Sequence, residues 1–454
     1  MKVDKKSKQI LDLAIPATVE YILQAMVGFL DTLMISRIGL ISVTAIGISN
    51  NILAVYLAIF IALGVGTSSL ISRYLGGGKV NDAKKIAIQS TGLSFIAGLI
   101  FGLITIVFGK HILGIMGAES DVIEKASSFF YIVGGTSVFI SLLTIFGSIL
   151  RATGDTKSPM VINTAVNIVN VIVDYVLIFG LGPIPAMGIV GTAIGTVVAR
   201  IIGCLLMYRK IQQTNLSFKF SGIFNQLNYK ELITLSIPAA LERLVMRLGQ
   251  VVYFGLIVSL GVKTYAAHSI SGNIESFTYM PAYGLTTAVA ILVGNSFGSG
   301  KKKEAYEYGV LAVKIGTIIM GFGGIVLYFG SPWFATWFTQ DTEAIGKIVT
   351  ALRIDAFAQI PLAVSLIFAG ALQGSGDTKS PLYSTAIGMW GIRVLGVYIL
   401  GVKIGMDIAG VWLSILIDLI IRSVFLTIRF RNRTIKDVEL KEKHIFTTSD
   451  NYKG

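Results

Sequence analysis

The chain has 454 residues, of which 54% are hydrophobic and only 14% are charged. Soluble globular domains carry roughly 25% charged residues, so this composition excludes an ordinary soluble protein. The hydrophobic residues number about 245, close to the demand of twelve membrane spans of about 20 apolar residues each. The formal charge of +13 then belongs to loops, where it sets orientation, and we expect no nucleic-acid partner.

Apolar windows of membrane-spanning length follow one another along the whole chain. They lie at about 11–36, 42–71, 87–108, 128–150, 159–180, 187–208, 232–259, 265–293, 307–329, 350–372, 382–402 and 407–428. The first window has a basic head like a signal peptide, but Glu20 and the lack of a small-residue cleavage site indicate a retained helix. The sequence therefore predicts an all-α membrane protein with twelve transmembrane helices.

Basic residues are distributed unequally between the two sets of loops. With both termini on the inside, 25 Lys and Arg residues fall in inner segments and six fall in outer loops. Because cytoplasmic loops are enriched in Lys and Arg, this asymmetry predicts that both termini are cytoplasmic. We expect a multi-pass protein of the plasma (inner) membrane that works as a monomer.

An internal repeat gives the domain organisation. The segment GDTKSP occurs at residues 154–159 and again at 376–381, an offset of 222 residues. The same offset superposes Pro16 on Pro238, Glu20 on Glu242 and Gly78 on Gly300. Six helices per copy is an even number, so the copies are predicted to be parallel repeats. The predicted parts are an amino-terminal lobe (1–208), a cytoplasmic linker (209–229), a carboxy-terminal lobe (230–428) and a basic cytoplasmic tail (429–454).

Patterns that would carry enzyme chemistry are incomplete. The run GNSFGSGKKK lacks the first Gly and the final Ser or Thr of a phosphate-binding loop. One cysteine, Cys204, excludes a disulfide framework and a Cys-ligated metal site. His111, His268 and His444 are too scattered for a zinc motif. We therefore expect no enzymatic activity and no cofactor.

An ionised side chain within an apolar window costs at least about 2.5–3.5 kcal/mol, so each one calls for an explanation. The best candidates for a functional role are Asp31 in the first window and Asp174 in the fifth. The fifth window also carries Asn163, Asn167 and Asn170, and the spacing of 4, 3 and 4 to Asp174 puts all four on one helix face. Thr196 reaches a similar depth. Together they predict an oxygen-rich pocket for a monovalent cation or a shared proton, with hydrogen bonding between helices as the alternative.

The second half offers a different set of side chains. The offset places Tyr253 opposite Asp31 and Gly396 opposite Asp174, so the carboxylate pair is not repeated there. An aromatic and Met-rich set there predicts loose binding of flat or cationic organic molecules, with core packing as an equal alternative. Its members are Tyr253, Phe254, Tyr279, Met280, Tyr283, Met389 and Trp390.

Further charges occur in the second half. Glu242, Arg243, Arg247 and Glu275 suit a buried ion-pair network, substrate contact or cation coupling, and these alternatives stay open. Arg393, Asp418 and Arg422 are interpreted as packing or interfacial charges.

These elements together resemble the multidrug and toxic compound extrusion (MATE) family over nearly the whole chain. The matching elements are Pro16 and Asp31, ISRYLGGGKVNDA with its partner LVGNSFGSGKKKEA, both GDTKSP copies, Asn170 to Asp174, and the terminal WLSILIDLIIRSVFLTIRFR. The resemblance implies a two-lobed cavity that alternates between the membrane faces and exports drugs in exchange for Na⁺ or H⁺.

By motif, Asp31, Asn170, Asp174 and Thr196 are similar to the family's amino-lobe cation site, with Asp31 and Asp174 as the metal ligands if the ion is Na⁺. The seventh window lacks the acid found about two turns beyond its Pro in the norfloxacin-exporting branch, so the chain more closely resembles the branch named for a DNA-damage-inducible protein. From the aromatic set and the charges of the second half, the candidate substrate contacts are Tyr253, Tyr279, Met280, Tyr283, Met389, Trp390, Glu242 and Glu275. A lipid-linked sugar flippase of the same superfamily and a non-transporting membrane subunit or enzyme are the alternatives.

The predicted orientation has a direct test in a variant in which Cys204 is replaced by Ala. A single cysteine introduced at Lys302 should react with a membrane-impermeant thiol reagent only from the cytoplasm, and one at Asp341 only from outside. The opposite pattern of labelling would contradict the orientation.

Overall fold

The computed structural model describes residues 5–116, 120–224 and 228–436, and within these ranges the chain forms helices and no strand. The first seven helices are α1 (Lys5–Ser36), α2 (Leu40–Gly76), α3 (Val80–Ile115), α4 (Ser120–Gly135), α5 (Ser137–Ala152), α6 (Lys157–Phe179) and α7 (Ile189–Gln212). The others are α8 (Lys230–Ser259), α9 (Val262–Gly298), α10 (Lys302–Thr336), α11 (Thr342–Gly374), α12 (Lys379–Ala386) and α13 (Asp407–Arg431). A 3₁₀ turn (Phe220–Gly222) precedes α8, π-helical segments (Ile387–Val394 and Val397–Lys403) continue α12, and a third (Asn432–Lys436) follows α13. Residues 225–227 of the predicted linker and residues 437–454 of the predicted tail lie outside the described residues.

The described helices agree with the twelve predicted spans. Ten are long and apolar enough to cross a membrane, counting Lys379–Lys403 as one, and α4 and α5 form one further span bent by 46°. The remaining span is α8, whose apolar sequence is interrupted by the charges of Glu242, Arg243 and Arg247. Several helices are longer than their predicted windows; α3 begins at Val80 rather than near residue 87. A helix can continue beyond the bilayer, where charged residues such as Lys84 are solvated, so hydropathy marks the membrane segment and not the helix end.

The repeat seen in the sequence is reproduced in the local backbone. Gly154 and Gly376 both adopt a left-handed conformation, with φ of 88° and 85°. Asp155 accepts hydrogen bonds from the backbone N–H and the hydroxyl of Ser158, at 2.8 and 2.6 Å. Asp377 makes both bonds again in the second copy, at 3.0 and 2.7 Å. Each GDTKSP segment is therefore a glycine turn followed by an aspartate that caps the next helix.

The chain divides into two compact units. The amino unit comprises residues 19–75 and 79–240, and the carboxy unit comprises the described residues of 1–18, 76–78 and 241–454. Ile10 and Ala14 of α1 thus belong to the core of the carboxy unit, and Leu232 of α8 belongs to the core of the amino unit. The predicted lobe boundaries at residues 208 and 230 follow the sequence repeat and stay a prediction, whereas the compact units divide at residues 18 and 240.

Large apolar side chains are exposed along several helices. On α10, Phe322, Phe329 and Trp333 are 68%, 77% and 62% exposed. Trp337 lies at the end of the same helix and packs edge-on against Trp333, with 4.4 Å between ring centroids. Apolar exposure on this scale is stable only when lipid covers it, and tryptophans near a helix end are typical of the membrane interface.

The two helix caps can be tested by substitution. Asp155→Ala and Asp377→Ala should each destabilise the protein by about 1–2 kcal/mol, because each removes the acceptor that caps a helix. Asp377→Ala should have the larger effect, since Asp377 also accepts a hydrogen bond from Arg429 at 3.2 Å. The readout is the melting temperature of the purified protein, with Asp12→Ala, at an exposed position of α1, as the control. Unchanged melting of both cap variants would contradict the capping role.

Candidate functional site

The polar stripe predicted on the fifth span lies on α6 and is turned inward. Asn170 is 8% exposed and Asp174 is fully buried, whereas Ile168 and Ile172, on another face of the helix, are more than half exposed. Asn163, nearer the start of α6, donates a hydrogen bond to Glu20 at 2.6 Å. The stripe therefore has one end engaged in a hydrogen bond and a deeper end that contains the carboxylate.

The deeper end holds buried polar atoms without hydrogen-bond partners among the described residues. They are both carboxylate oxygens of Asp174, Oδ1 of Asp31, Nδ2 of Asn170 and the hydroxyl of Thr192. Asp31 on α1 is also an electrostatic neighbour of Asp174. Three helices of the amino unit, α1, α6 and α7, thus contribute buried polar atoms with no hydrogen bond of good geometry in the described part of the chain.

The close approach of α7 to α6 brings Thr192 to this end of the stripe. A methyl group on Gly195 would lie 1.9 Å from Asp174 Oδ1, so only glycine leaves room for the carboxylate at this point. Thr192 lies three residues before Gly195 and therefore on the same side of α7. Sequence reasoning named Thr196, which is half-buried, and missed Thr192. The signal was available, since Thr192 lies one helical turn before Thr196.

Buried acids without partners are expensive, so the arrangement calls for a ligand. Two carboxylates, an amide and a hydroxyl supply mainly oxygen atoms, which suit a hard monovalent cation or a proton shared between the acids. Either one would neutralise part of the buried negative charge. We designate Asp31, Asn170, Asp174 and Thr192 the amino-unit pocket.

Another buried carboxylate of the amino unit, that of Glu20, already has hydrogen-bond partners. Glu20 is 6% exposed and accepts hydrogen bonds from Arg151, at 3.2 and 3.3 Å, and from Asn163. The equivalent Glu242 of the carboxy unit accepts from Gln373 at 3.1 Å and from Thr385 at 3.2 Å. Gln373 and Thr385 are the positions 222 residues after Arg151 and Asn163. Both glutamates therefore connect the same three spans within their own units.

Other charges of the carboxy unit are arranged differently from the interpretation based on sequence. Among the described residues, Glu242, Arg243, Arg247 and Glu275 form no ion pair with one another. Asp418, interpreted as packing or interfacial, is fully buried between two arginines. Arg393 lies 2.8 Å from Asp418 and Arg422 lies 2.6 Å from it. These three residues are an internal ion-pair network, which hydropathy alone does not reveal.

The predicted substrate contacts separate into buried and exposed residues. Tyr253, Met280 and Met389 are 5%, 8% and 0% exposed and lie within the packed carboxy unit. Tyr283 and Trp390 are 40% and 41% exposed. Tyr279 packs edge-on against Tyr283, with ring centroids 5.5 Å apart, and Trp390 donates a hydrogen bond to the backbone of Val245 at 3.2 Å. In this conformation only part of the set is open to a ligand, and its role in substrate binding stays a prediction.

Comparison with known proteins places the fold and the repeat in a family. The profile of the MatE family matches the chain twice, over residues 16–176 and 238–399. The chain belongs to the MatE family. The two matches begin 222 residues apart, which is the offset of the sequence repeat. This protein is therefore a membrane transporter. The family resemblance predicted from the sequence is confirmed.

Relatives are similar over nearly their whole lengths. An uncharacterized transporter of Bacillus subtilis, YisQ, is 28% identical over 94% of this chain and 95% of its own. The probable multidrug resistance protein NorM of Thermotoga maritima is 27% identical over 93% of this chain and 91% of its own. A crystal structure of a MATE protein in complex with MaL6 has the same fold, with a TM-score of 0.88, 22% identity, and coverage of 95% and 97%. The twelve-helix fold class agrees with these matches.

The close packing at Gly195 generates a prediction about the pocket. Gly195→Ala should displace the Asp174 carboxylate and reduce cation-dependent transport strongly, because the added methyl and Oδ1 cannot occupy the same space. Gly47→Ala on α2 is the matched control, since a methyl there meets no atom within 4 Å. Transport by reconstituted protein is the measurement. Equal activity of the two variants would contradict the predicted approach of α7 to Asp174.

Proposed function

We propose that this transporter is a secondary antiporter that exports organic compounds in exchange for inward movement of Na⁺ or H⁺. The observation that supports the proposal is the amino-unit pocket, in which buried oxygens of Asp31 and Asp174 have no partner within the described residues. Intramembrane acids without partners are typical of ion pathways and proton relays, because a purely structural role would not leave their charges unbalanced.

The proposed coupling follows from charge. Without a cation the two aspartates repel each other, which keeps α1, α6 and α7 apart around the pocket. A bound Na⁺ or proton removes the repulsion, and the hydroxyl of Thr192 and the amide of Asn170 supply neutral ligands or hydrogen bonds. The cation-free and cation-bound proteins then favour different packing of these helices. Alternating access follows if one arrangement is open to each side of the membrane and the substrate binds better to one of them.

Substrates are proposed to be organic compounds that are cationic or amphipathic. Tyr283 and Trp390 present exposed aromatic surface, and Tyr279 extends it through its contact with Tyr283. Aromatic rings attract organic cations and stack on flat molecules with little geometric demand. The relative from Thermotoga maritima is named a probable multidrug resistance protein, which agrees with a broad substrate range. The remaining candidate contacts are Tyr253, Met280, Met389, Glu242 and Glu275.

The proposed setting is a plasma membrane with both termini in the cytoplasm and a single chain as the transporting unit. In this orientation α9 and α11 begin at the outer surface, and the GDTKSP segments lie on the inner side.

The coupling role is tested by neutralising each acid. Asp31→Asn and Asp174→Asn should each abolish cation-driven export while leaving the protein folded, because the amide is nearly isosteric but carries no titratable or ion-binding charge. Dye export from proteoliposomes, with Na⁺ and pH gradients imposed separately, measures coupling and identifies the ion. Normal gradient-driven export by both variants would exclude the amino-unit pocket as the coupling site.

Two threonines one turn apart provide a matched pair of variants. Thr192→Ala should weaken the apparent cation affinity by roughly tenfold, since a hydroxyl that contacts a charged group contributes about 1.5–3 kcal/mol. Thr196→Ala should leave the affinity nearly unchanged, because Thr196 is half-buried and its hydroxyl is not among the buried unpartnered atoms. The cation concentration that gives half-maximal export is the measurement, and the reverse order of effects would restore Thr196 as the ligand.

A further inference from the structure

A second pair of acids lies in the carboxy unit, on α9 and α11. Asp355 on α11 is fully buried, and its Oδ1 has no hydrogen-bond partner in the described structure. Glu275 on α9 is half-buried, and its carboxylate makes no hydrogen bond or ion pair with any described residue. The sequence predicted an ion-pair network, substrate contact or cation coupling for Glu275, and it did not single out Asp355.

Two hydrogen bonds place these acids side by side. Near the start of both helices, Lys347 donates to the hydroxyl of Thr264 at 2.8 Å. Further along, the hydroxyl of Thr278 donates to Gln359 Oε1 at 3.0 Å. The numbering differs by 83 in the first pair and by 81 in the second, so the helices run parallel with nearly constant register. Glu275, three residues before Thr278, therefore lies at the level of Asp355, four residues before Gln359.

The free ligand atoms around this pair suit a proton better than a metal ion. Gln359 donates its amide to Asp355 Oδ2 at 2.7 Å, and the oxygen of the same amide already accepts from Thr278. One oxygen of Asp355 and the Glu275 carboxylate remain available. Hard metal ions gather roughly six oxygen ligands in proteins, whereas a proton shared between two carboxyl groups needs only two oxygens.

The surrounding charges agree with a single bound proton. Arg393 is the cationic neighbour of Glu275, and it also faces Tyr253 and His268. Arg393 also forms an ion pair with Asp418, and Asp418 forms a second ion pair with Arg422. Glu242 is a further neighbour of Arg422, and Arg243 is a neighbour of Glu242. With Asp355, the group then has four carboxylates and three guanidiniums, which leave one net negative charge. One proton makes the group neutral, as burial in a membrane favours.

A line of polar residues connects the acids to the side of the membrane on which α9 begins. Thr264, His268 and Ser271 are 0%, 5% and 0% exposed and precede Glu275 at steps of four, three and four residues, along one helix face. Nδ1 of His268 and the hydroxyl of Ser271 are buried without a hydrogen-bond partner among the described residues. Buried polar atoms of this kind are where internal water binds.

The beginning of this line reaches the surface through a polar cluster. The hydroxyl of Thr264 donates to Asp407 Oδ1 at 2.7 Å, and Lys347 lies 2.6 Å from Asp407 Oδ2. Asp407 is 36% exposed. Along α9, Thr264 and Glu275 are separated by roughly 16 Å, at about 1.5 Å per residue. The neutral imidazole of His268 can accept a proton on one nitrogen and release one from the other, so it suits a relay within this distance.

We propose that Glu275 and Asp355 bind one shared proton and that His268 and Ser271, with internal water, conduct it from the side on which α9 begins. A hydronium ion gives up the proton and leaves water, and the proton is retained on a carboxylate oxygen. In the proposed orientation this side is the outside. The site lies in the carboxy unit and does not require the amino-unit pocket to act in coupling.

Infrared difference spectroscopy between alkaline and acidic buffer tests the site without measuring transport. The full-length Asp31→Asn/Asp174→Asn protein serves as the background, so that the amino-unit pocket contributes no signal. We expect one protonated-carboxyl band that is lost in both Asp355→Asn and Glu275→Gln, while Glu343→Gln, at an exposed position of α11, retains it. Persistence of the band in both variants would overturn the site, whether or not the amino-unit pocket drives export.

The relay and the identity of the ion have separate tests on the same background. After a rapid drop in pH, His268→Phe should slow growth of the carboxyl band by roughly tenfold or more and leave its final size unchanged. Phenylalanine keeps the packing of the ring against Tyr253, Phe254 and Trp412. His111→Phe, at an exposed position, is the matched control. Protonation of His268→Phe at the control rate would overturn the relay, and suppression of the band by NaCl at constant pH would show a sodium site instead.

Discussion

A carboxylate held away from water inside a membrane needs a counter-charge, a hydrogen-bond donor, a metal ion or a proton, and this requirement organises the molecule. Glu20 has Arg151 and Asn163, and Asp418 has Arg393 and Arg422, so these acids hold spans together. Asp174 has no such partner among the described residues. The difference is not one of depth or residue type but of what the neighbouring helices present to the acid.

Duplication followed by divergence explains how the two units came to differ. The geometry of the GDTKSP turns and the partners of Glu20 and Glu242 keep the 222-residue offset, so the scaffold is shared. Near the deeper acids, residues 222 apart still occupy equivalent positions in the two copies, but their side chains differ chemically. Thr196 is matched by Asp418, and Arg200 by Arg422. In the second copy Asp418 pairs with Arg422, one helical turn later. In the first copy the acids, Asp31 and Asp174, come from other helices and have no ion pair among the described residues.

Sequence reasoning succeeded where a property belongs to a segment. The apolar windows, the 222-residue repeat and the inward face of α6 all follow from periodicity, because lipid excludes polar side chains from one helix face. It failed where the property depends on how two helices pack. Thr192 is buried without a partner, whereas Thr196 is only half-buried, because α7 approaches α6 at Gly195. Asp355 lies in the tenth apolar window and could have been found as an intramembrane acid, but its place beside Glu275, 80 residues earlier on another helix, follows only from the register of α9 and α11.

The unpartnered acids also connect stability with transport. An ionised acid at membrane depth costs at least about 2.5–3.5 kcal/mol, a large part of the 5–15 kcal/mol by which folded proteins are stable. A ligand bound only to the folded state returns free energy as its concentration rises, about 2.7 kcal/mol at one hundred times its dissociation constant. Under the proposed coupling, the cation-free amino unit is therefore the strained state, and cation binding relaxes it. A transporter with Asp174 already paired, as Asp418 is, would be more stable but would offer the ion no site whose occupancy distinguishes two conformations, and an ion gradient could then not be coupled to exchange.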